Sequence, residues 1–499
     1  MEEPQTPSPL PNSLLFTLQN RSINAPSSYA HYNKAPISPT HDSTPPISKT
    51  PSLPSHLPSS PPKNFKHKLS QTLLPRFHFS SKYCCDTRIY GGQFSSDGSL
   101  FYSTSQETIK LFNTEDPFNW KVIKTIEGQE IEWTITDSDL DPKQQMLIYS
   151  SINTTAFIIR LNGFQVYPVV FSSLRGRLTD NMFGRSDEFF GIWSLKFSPD
   201  SCEVLAGGTG GLVLVYDLNK GKVHMKVQKH LNDVNSVCWA NREHSNLIYT
   251  GSDDCFCYVW DRRILHSKQR PSGVLVGHHE GITHVSSKGD DIHLITNGKD
   301  SLLKMWDIRK MHDLKSLPKM PALKRCRGFD YRWKLYPLRN KTPIHPYDTS
   351  LHTFKSHYVL QTLIRCYYSP LHTTNQRYIY TGSADGRIYL FDTVTLEALH
   401  PLEKMEYGNS FYYASDDEFE GTYGLTGQNM LLRRRQNTPV RDVSWHPHLP
   451  VLASTSFSRH VDLWKWHPQD HYLNSQLLNS EENSDNDDSP QDDSFDFFD

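Results

Sequence analysis

The 499-residue chain is 36% hydrophobic and 21% charged, below the ~45–50% and ~25% usual for globular proteins. The deficit is local: 14 of the 32 prolines fall between Pro4 and Pro62, and the ten acidic residues after Lys465 have no Lys or Arg among them. Behind the net charge of −2 there is thus a mildly basic body, with 44 acidic against 52 basic residues over 1–465. No stretch reaches the ~20 apolar residues of a membrane span, the start lacks the basic and apolar regions of a secretory signal, and eight scattered cysteines make no disulfide framework. The expectation is a soluble protein of the nucleus or cytoplasm with no membrane partner.

Residues 1–82 read as a disordered Pro/Ser-rich arm, too poor in apolar periodicity to offset ordering entropy. Pairs such as Thr6-Pro7 and Ser38-Pro39 fit proline-directed phosphorylation, but are also unavoidable in this composition. Leu14, Leu15 and Leu18 have helical spacing, as do Phe65, Leu69 and Leu73. The second set predicts a short docking helix near 63–75, too short to persist alone. From Cys84 a strand-rich unit recurs, and its closing strands end at Phe112, Ile159, Tyr216, Trp260, Trp306, Phe391 and Trp464. Seven units at intervals of 44 residues and upward match four-stranded propeller blades of ~40–45 residues. The two long intervals predict insertions at 310–355 and 400–438. Earlier strands such as Val234–Trp239 and Val440–Trp445 alternate apolar residues and run into turns. Seven such sheets bury their faces by radial packing. The expected fold is all-β, a seven-bladed propeller over 83–468, followed by a disordered acidic tail over 469–499.

Enzyme and metal motifs fail. Gly207–Gly211 lacks the Lys-Ser/Thr of a phosphate loop and predicts a β turn. Asp137-x-Asp139-x-Asp141 imitates a calcium loop, but Pro142 and Ile148 stand where glycine and the closing Glu belong. Cys255-x-Cys257 has no second pair at zinc spacing; alternation predicts two thiols on one strand face. The expectation is no catalytic residue, no metal and no cofactor. The basic clusters Lys324–Arg327 and Arg433–Arg435 suit a solvated loop or an acidic partner better than nucleic acid. Phe495, Phe497 and Phe498 among carboxylates hint at a short docking motif in the tail.

The units resemble WD repeats. Unit four runs His230, Thr250, Asp254, Trp260-Asp261, and unit five His278, Thr296, Asp300, Trp306-Asp307. The resemblance implies a buried hydrogen-bonded tetrad in each, structural rather than catalytic. Units one, three and seven carry Gln106, Gly210 and Ser458 in place of the Asp. Unit six closes with Phe391, which has no N–H, so packing is expected to hold those blades. Units four and five continue to Arg263 and Arg309. Two consecutive Trp-Asp-x-Arg boxes resemble those of the cullin-4-associated factors, and the chain as a whole resembles one branch of them, which includes plant and animal WD-repeat proteins regarded as substrate receptors. Stretches such as Trp133–Asp137, Asp330–Trp333 and Leu363–Tyr367 carry that wider likeness. It implies that Asp261, Arg263, Asp307 and Arg309 dock on the damaged-DNA-binding adaptor of a cullin-4 RING ubiquitin ligase. The chain would then present a protein substrate, itself unidentified, for ubiquitination and proteasomal degradation. A scaffold in a nuclear or RNA-associated complex without ligase function is the other reading.

Overall fold

The computed structural model describes residues 74–171, 190–268, 270–319, 328–337, 344–402 and 438–466. The strand β1 (Phe77–Tyr83) comes first, and seven blades follow in chain order. Blade one is β2–β5 (Ile89–Phe94, Leu100–Ser105, Thr108–Asn113, Lys121–Glu127), and blade two β6–β9 (Asp137–Leu140, Met146–Ser150, Thr155–Arg160, Val166–Val170). Blade three is β10–β13 (Ile192–Phe197, Glu203–Gly208, Leu212–Asp217, Lys222–Gln228), and blade four β14–β17 (Val234–Trp239, Leu247–Ser252, Cys257–Asp261, Gly273–Leu275). Blade five is β18–β21 (Ile282–Ser287, His293–Gly298, Leu303–Asp307, His352–Phe354), and blade six β22–β24 (Cys366–Tyr368, Tyr378–Gly382, Ile388–Asp392). Blade seven is β25–β27 (Val440–Trp445, Val451–Ser456, His460–Lys465), with β1 as its fourth strand. All neighbours pair antiparallel, and blade six is completed by bridges from Leu402 to Ile388 and from Ala398 to Phe391.

The all-β seven-bladed architecture is as expected, but its start is not. Phe77–Tyr83, assigned above to the arm, pairs antiparallel with β27, Phe77 opposite Lys465 and Tyr83 opposite His460. Leu74 is buried among Tyr378, Trp445 and Trp464, between blades six and seven. The reason is the ring itself. The last three strands leave β27 with an open edge, and an earlier segment covers it and closes the circle. The rest of the arm, the Leu14–Leu18 pattern, nearly all of the 63–75 segment and residues 467–499 lie outside the described residues. So do 403–437, within the expected 400–438 insertion. The expected 310–355 insertion overlaps the link between β20 and β21, the third and fourth strands of blade five, but its end takes in β21 itself.

Central strands read apolar on both faces because each blade is sandwiched between two others. β12 is buried at every position, whereas the outer strands β5 and β13 are mostly exposed. The cores lie between blades: Ile148, Ala156 and Ile158 of blade two pack on Leu195, Phe197 and Val204 of blade three. In five blades the pairing of the first two strands shifts register near its start, at Ile89/Gly91, Ile192/Ser194, Val234/Ser236, Ile282/His284 and Val440/Asp442. Such bulges bend a strand and re-aim its side chains. The first strands of successive blades pack side by side around the axis. Gly207 and Gly208 end β11, not a turn as expected, and in the Thr209–Gly211 turn that follows, Gly210 and Gly211 have φ of 70° and 79°. A Cβ on Gly211 would sit 2.1 Å from the His230 carbonyl oxygen, so glycine is needed there for space as well as conformation.

Candidate functional site

The two tetrads assemble on the residues named from sequence. In blade four the Trp260 indole N–H donates to the Thr250 hydroxyl at 2.9 Å, and Thr250 Oγ1 lies 2.7 Å from His230 Nε2. His230 Nδ1 is 2.8 Å from Asp254 Oδ2, which also accepts the Leu231 N–H at 3.0 Å. Blade five repeats this, with Trp306 to Thr296 at 2.8 Å, Thr296 to His278 at 2.7 Å, and His278 Nδ1 to Asp300 at 3.1 Å. One consistent proton order follows: indole N–H to hydroxyl, hydroxyl O–H to imidazole Nε2, imidazole Nδ1–H to carboxylate. Burial would raise the Asp254 and Asp300 carboxyls, but His230 and His278, with backbone N–H groups, more than offset it and hold both below the usual carboxylate range. All eight side chains are shut from solvent, which suits a structural role. One expectation needs correcting: blade seven does not rely on packing alone. Trp464 Nε1 donates to Ser454 Oγ at 2.9 Å, a two-member remnant of the chain. In blade six, Phe391 stacks on Phe354 instead, centroids 4.6 Å apart.

The four box residues lie where the third strands of blades four and five end. Asp261 closes β16, and Arg263 is the second residue of the helix α1 (Arg262–Lys268). Asp307 closes β20 and caps a single 3-10 turn, accepting the Arg309 N–H at 2.9 Å. Both guanidinium groups fold back onto their own Asp as a fork. Arg263 donates from Nε and Nη2 to Asp261 at 2.9 and 2.7 Å, and Arg309 does the same to Asp307 at 2.9 and 2.7 Å. The carboxylates are largely buried while the arginine side chains stay 66% and 67% exposed. The fork thus fixes a planar cation in solvent, sparing a partner the entropy of ordering it. The arginines hold both carboxyls low, Asp307 to about 2.

The neighbouring residue is different. Arg262 is 18% exposed, forks onto Glu203 of blade three at 2.8 and 3.0 Å, and lies 5.4 Å from the Trp239 ring centre. It ties blades together. Blade six breaks the box pattern: Val394 stands where the arginine would, and Arg377 takes the fully buried Asp392 instead. A third Asp-x-Arg fork, Asp330 with Arg332, appears in the blade-five insertion.

Sequence reasoning missed the axis. Asp137 and Asp139, weighed above only as a calcium loop, sit on β6, an inner strand. Arg365 of blade six donates to Asp137 of blade two at 2.6 Å and to Asp442 of blade seven at 3.2 Å. Lys196 pairs with Asp139 at 2.9 Å, and Tyr367 and Gln93 donate to Asp442 at 3.0 and 2.9 Å. Burial would raise Asp137, but Arg365 and Lys196 hold it well below the usual range; Asp139 stays raised, because burial there outweighs Lys196. The signal available in sequence was charge on the inner strands of two repeats, Asp137 and Asp442, where units three and four carry Ser194 and Ser236. Cys255-x-Cys257 also differs from expectation. Cys255 sits in a turn at φ 77° and Cys257 begins β16, so the two do not share a strand face. Among the described residues, no cluster of His, Cys, Asp and Glu is arranged to hold a metal ion. The Lys324–Arg327 and Arg433–Arg435 clusters lie outside them.

The WD domain, G-beta repeat family matches residues 183–217, 221–261, 269–307, 348–392 and 430–465. The LEC14B protein of Lithospermum erythrorhizon is 38% identical over 392 residues, covering 77% of this chain and 74% of its own length. A LEC14B homolog of Prunus armeniaca is 38% identical over 378 residues, 76% and 72% of the two chains. A DDB1- and CUL4-associated factor 11 homolog of Caenorhabditis elegans is 26% identical over 393 residues, 76% of this chain and 61% of its own. With seven blades, two tetrads and these relatives, the chain belongs to the family of WD-repeat propellers that includes LEC14B and DDB1- and CUL4-associated factor 11.

Proposed function

We propose that the protein is the substrate receptor of a cullin-4 RING ubiquitin ligase, docking on the damaged-DNA-binding adaptor through Arg263 and Arg309. The observation that carries this reading is the repeated fork: two exposed guanidinium groups, each anchored by a largely buried carboxylate at the same point of adjacent blades. Arginine in a rigid setting is a frequent energetic centre of interfaces. The names of the worm relatives support the same partner. The protein would do no chemistry itself. It would raise the effective concentration of a substrate lysine near the transferred ubiquitin, in the nucleus or cytoplasm. The rim opposite the boxes would hold the substrate, leading to its proteasomal degradation.

The test is co-purification of the adaptor with wild-type chain and with Arg263→Ala/Arg309→Ala. The expected result is at least a tenfold loss in a variant that still unfolds cooperatively. Undiminished capture by the folded double variant would remove the docking role. It would favour a scaffold without ligase function.

A further inference from the structure

A cleft of about 360 Å³ opens beside blades one and seven, lined by Arg88, Tyr90, Gln106, Trp133, Phe457 and Arg459. Arg459 lies in the turn before β27, at the end of the strand opposite Lys465. The lining is basic and aromatic. Arg88 and Arg459 are exposed. The Arg88 guanidinium lies 5.0 Å from the Phe457 ring centre, and Tyr90 and Phe457 have ring centres 5.4 Å apart. Asp86 is the one carboxylate in the lining, and it accepts the Tyr83 hydroxyl. Glu130 and Glu132, near Trp133, are exposed but outside the lining.

Trp133 is the second observation. Its side chain is 64% exposed, and its backbone is held at φ 69°, with the Gln106 amide donating to its carbonyl at 3.2 Å. A left-handed tryptophan is strained, and it persists only where its surroundings over-determine it. Here the strain holds a large apolar surface in water, next to two cations.

We infer that this cleft binds the chain's own acidic, aromatic end, Ser494-Phe-Asp-Phe-Phe-Asp499. Charge complementarity selects it. Residues 467–499 carry ten carboxylates and no Lys or Arg, whereas 403–437, the other acidic and aromatic segment, has six carboxylates against Lys404 and Arg433–Arg435. Reach agrees. Trp466 lies seven residues along from Arg459, roughly 24 Å at ~3.4 Å per strand residue. Residues 467–493 separate Trp466 from Ser494, and a random coil of that length would span roughly 30 Å root-mean-square. A linker whose span matches the gap gives nearly the highest effective concentration. Phe495, Phe497 and Phe498 would stack against Trp133, Tyr90 and Phe457, with Asp496 and Asp499 beside Arg88 and Arg459. The tail would then cover part of the rim opposite the boxes and compete with whatever that rim receives. The inference does not rest on adaptor docking.

The experiment measures fluorescence anisotropy of a labelled peptide of residues 486–499 against the full-length protein. Replacing the tail phenylalanines (Phe495→Ala/Phe497→Ala/Phe498→Ala) should free the cleft and tighten peptide binding at least fivefold over wild type. Adding Arg88→Glu/Arg459→Glu, both at exposed positions, should weaken it at least tenfold, and Trp133→Ala is the uncharged check. The inference is overturned by no binding to the freed cleft, by equal binding to freed and wild-type chains, or by indifference to both cleft variants. A peptide of residues 410–424 that binds instead, with the same arginine dependence, would also overturn it by naming the insertion as occupant.

Discussion

Thr250 and Thr296 each hold a tetrad at its middle, accepting from an indole and facing an imidazole. Thr250→Val keeps the shape but leaves the Trp260 N–H and the His230 Nε2 unpaired in the core. Each buried group so stranded costs about 1–3 kcal/mol. Urea unfolding should show that loss for Thr250→Val and a much smaller one for Thr250→Ser; equal losses would mean the hydroxyl contributes nothing. The acid side has a defined sign. Asp254 and Asp300 have folded values below their unfolded ones, so their stabilisation is complete above about pH 4 and disappears as pH falls through the lower folded values. Asp300→Asn should therefore be less stable than wild type at pH 6 and lose less between about pH 4 and 2, as read by thermal unfolding. At the boxes, Arg263→Lys/Arg309→Lys keeps both charges but loses the fork onto Asp261 and Asp307. If rigidity rather than charge matters, adaptor capture should fall nearly as far as with alanine.

Among the elements, β1 matters most for closure. It supplies the outer strand of blade seven from the opposite end of the chain, so ring closure depends on residues about 380 positions apart. Its Ser81 and His78 also bond Asp462, Ser81 at 2.5 Å. A chain starting at residue 74 keeps this strand, whereas one starting at residue 84 exposes the edge of β27 and lacks both β1 and Leu74. The first should melt within a few degrees of the full chain. The second should melt lower and aggregate, as differential scanning and size-exclusion chromatography would show. The opposite result would mean that the ring closes without β1. The same element explains why the domain start was misplaced. Phe77–Tyr83 has weak alternation and follows proline-rich sequence, and its partner edge lies near the far end of the chain.

For the whole molecule, the axis is the distinctive feature. Arg365 spans from blade six to blades two and seven, so three inner strands share one cation between the carboxylates of Asp137 and Asp442. Replacing it with methionine removes the guanidinium that pairs with both Asp137 and Asp442. Breaking a buried pair from one side costs about 3–5 kcal/mol, and calorimetry of Arg365→Met should show a loss of that size. A far smaller loss would mean that solvent already reaches these carboxylates. Whole-ring effects should follow, since removing one strut loosens three blades, including two that are not adjacent to one another.

Repeat spacing, closing aromatics and the His, Thr, Asp and Trp of units four and five were legible in sequence. They are local: each blade's pattern comes from strand alternation and from a buried polar chain within one repeat. The Asp-x-Arg boxes were legible for the same reason, since the fork closes over two residues. What only the tertiary structure decided is whatever joins distant parts. That includes β1 on β27, the Arg365 struts across the axis, Arg262 on Glu203, and the cleft that gathers Arg88, Trp133 and Arg459 from separate loops. Pairing across hundreds of residues leaves no periodic trace, because the energy comes from closing a ring.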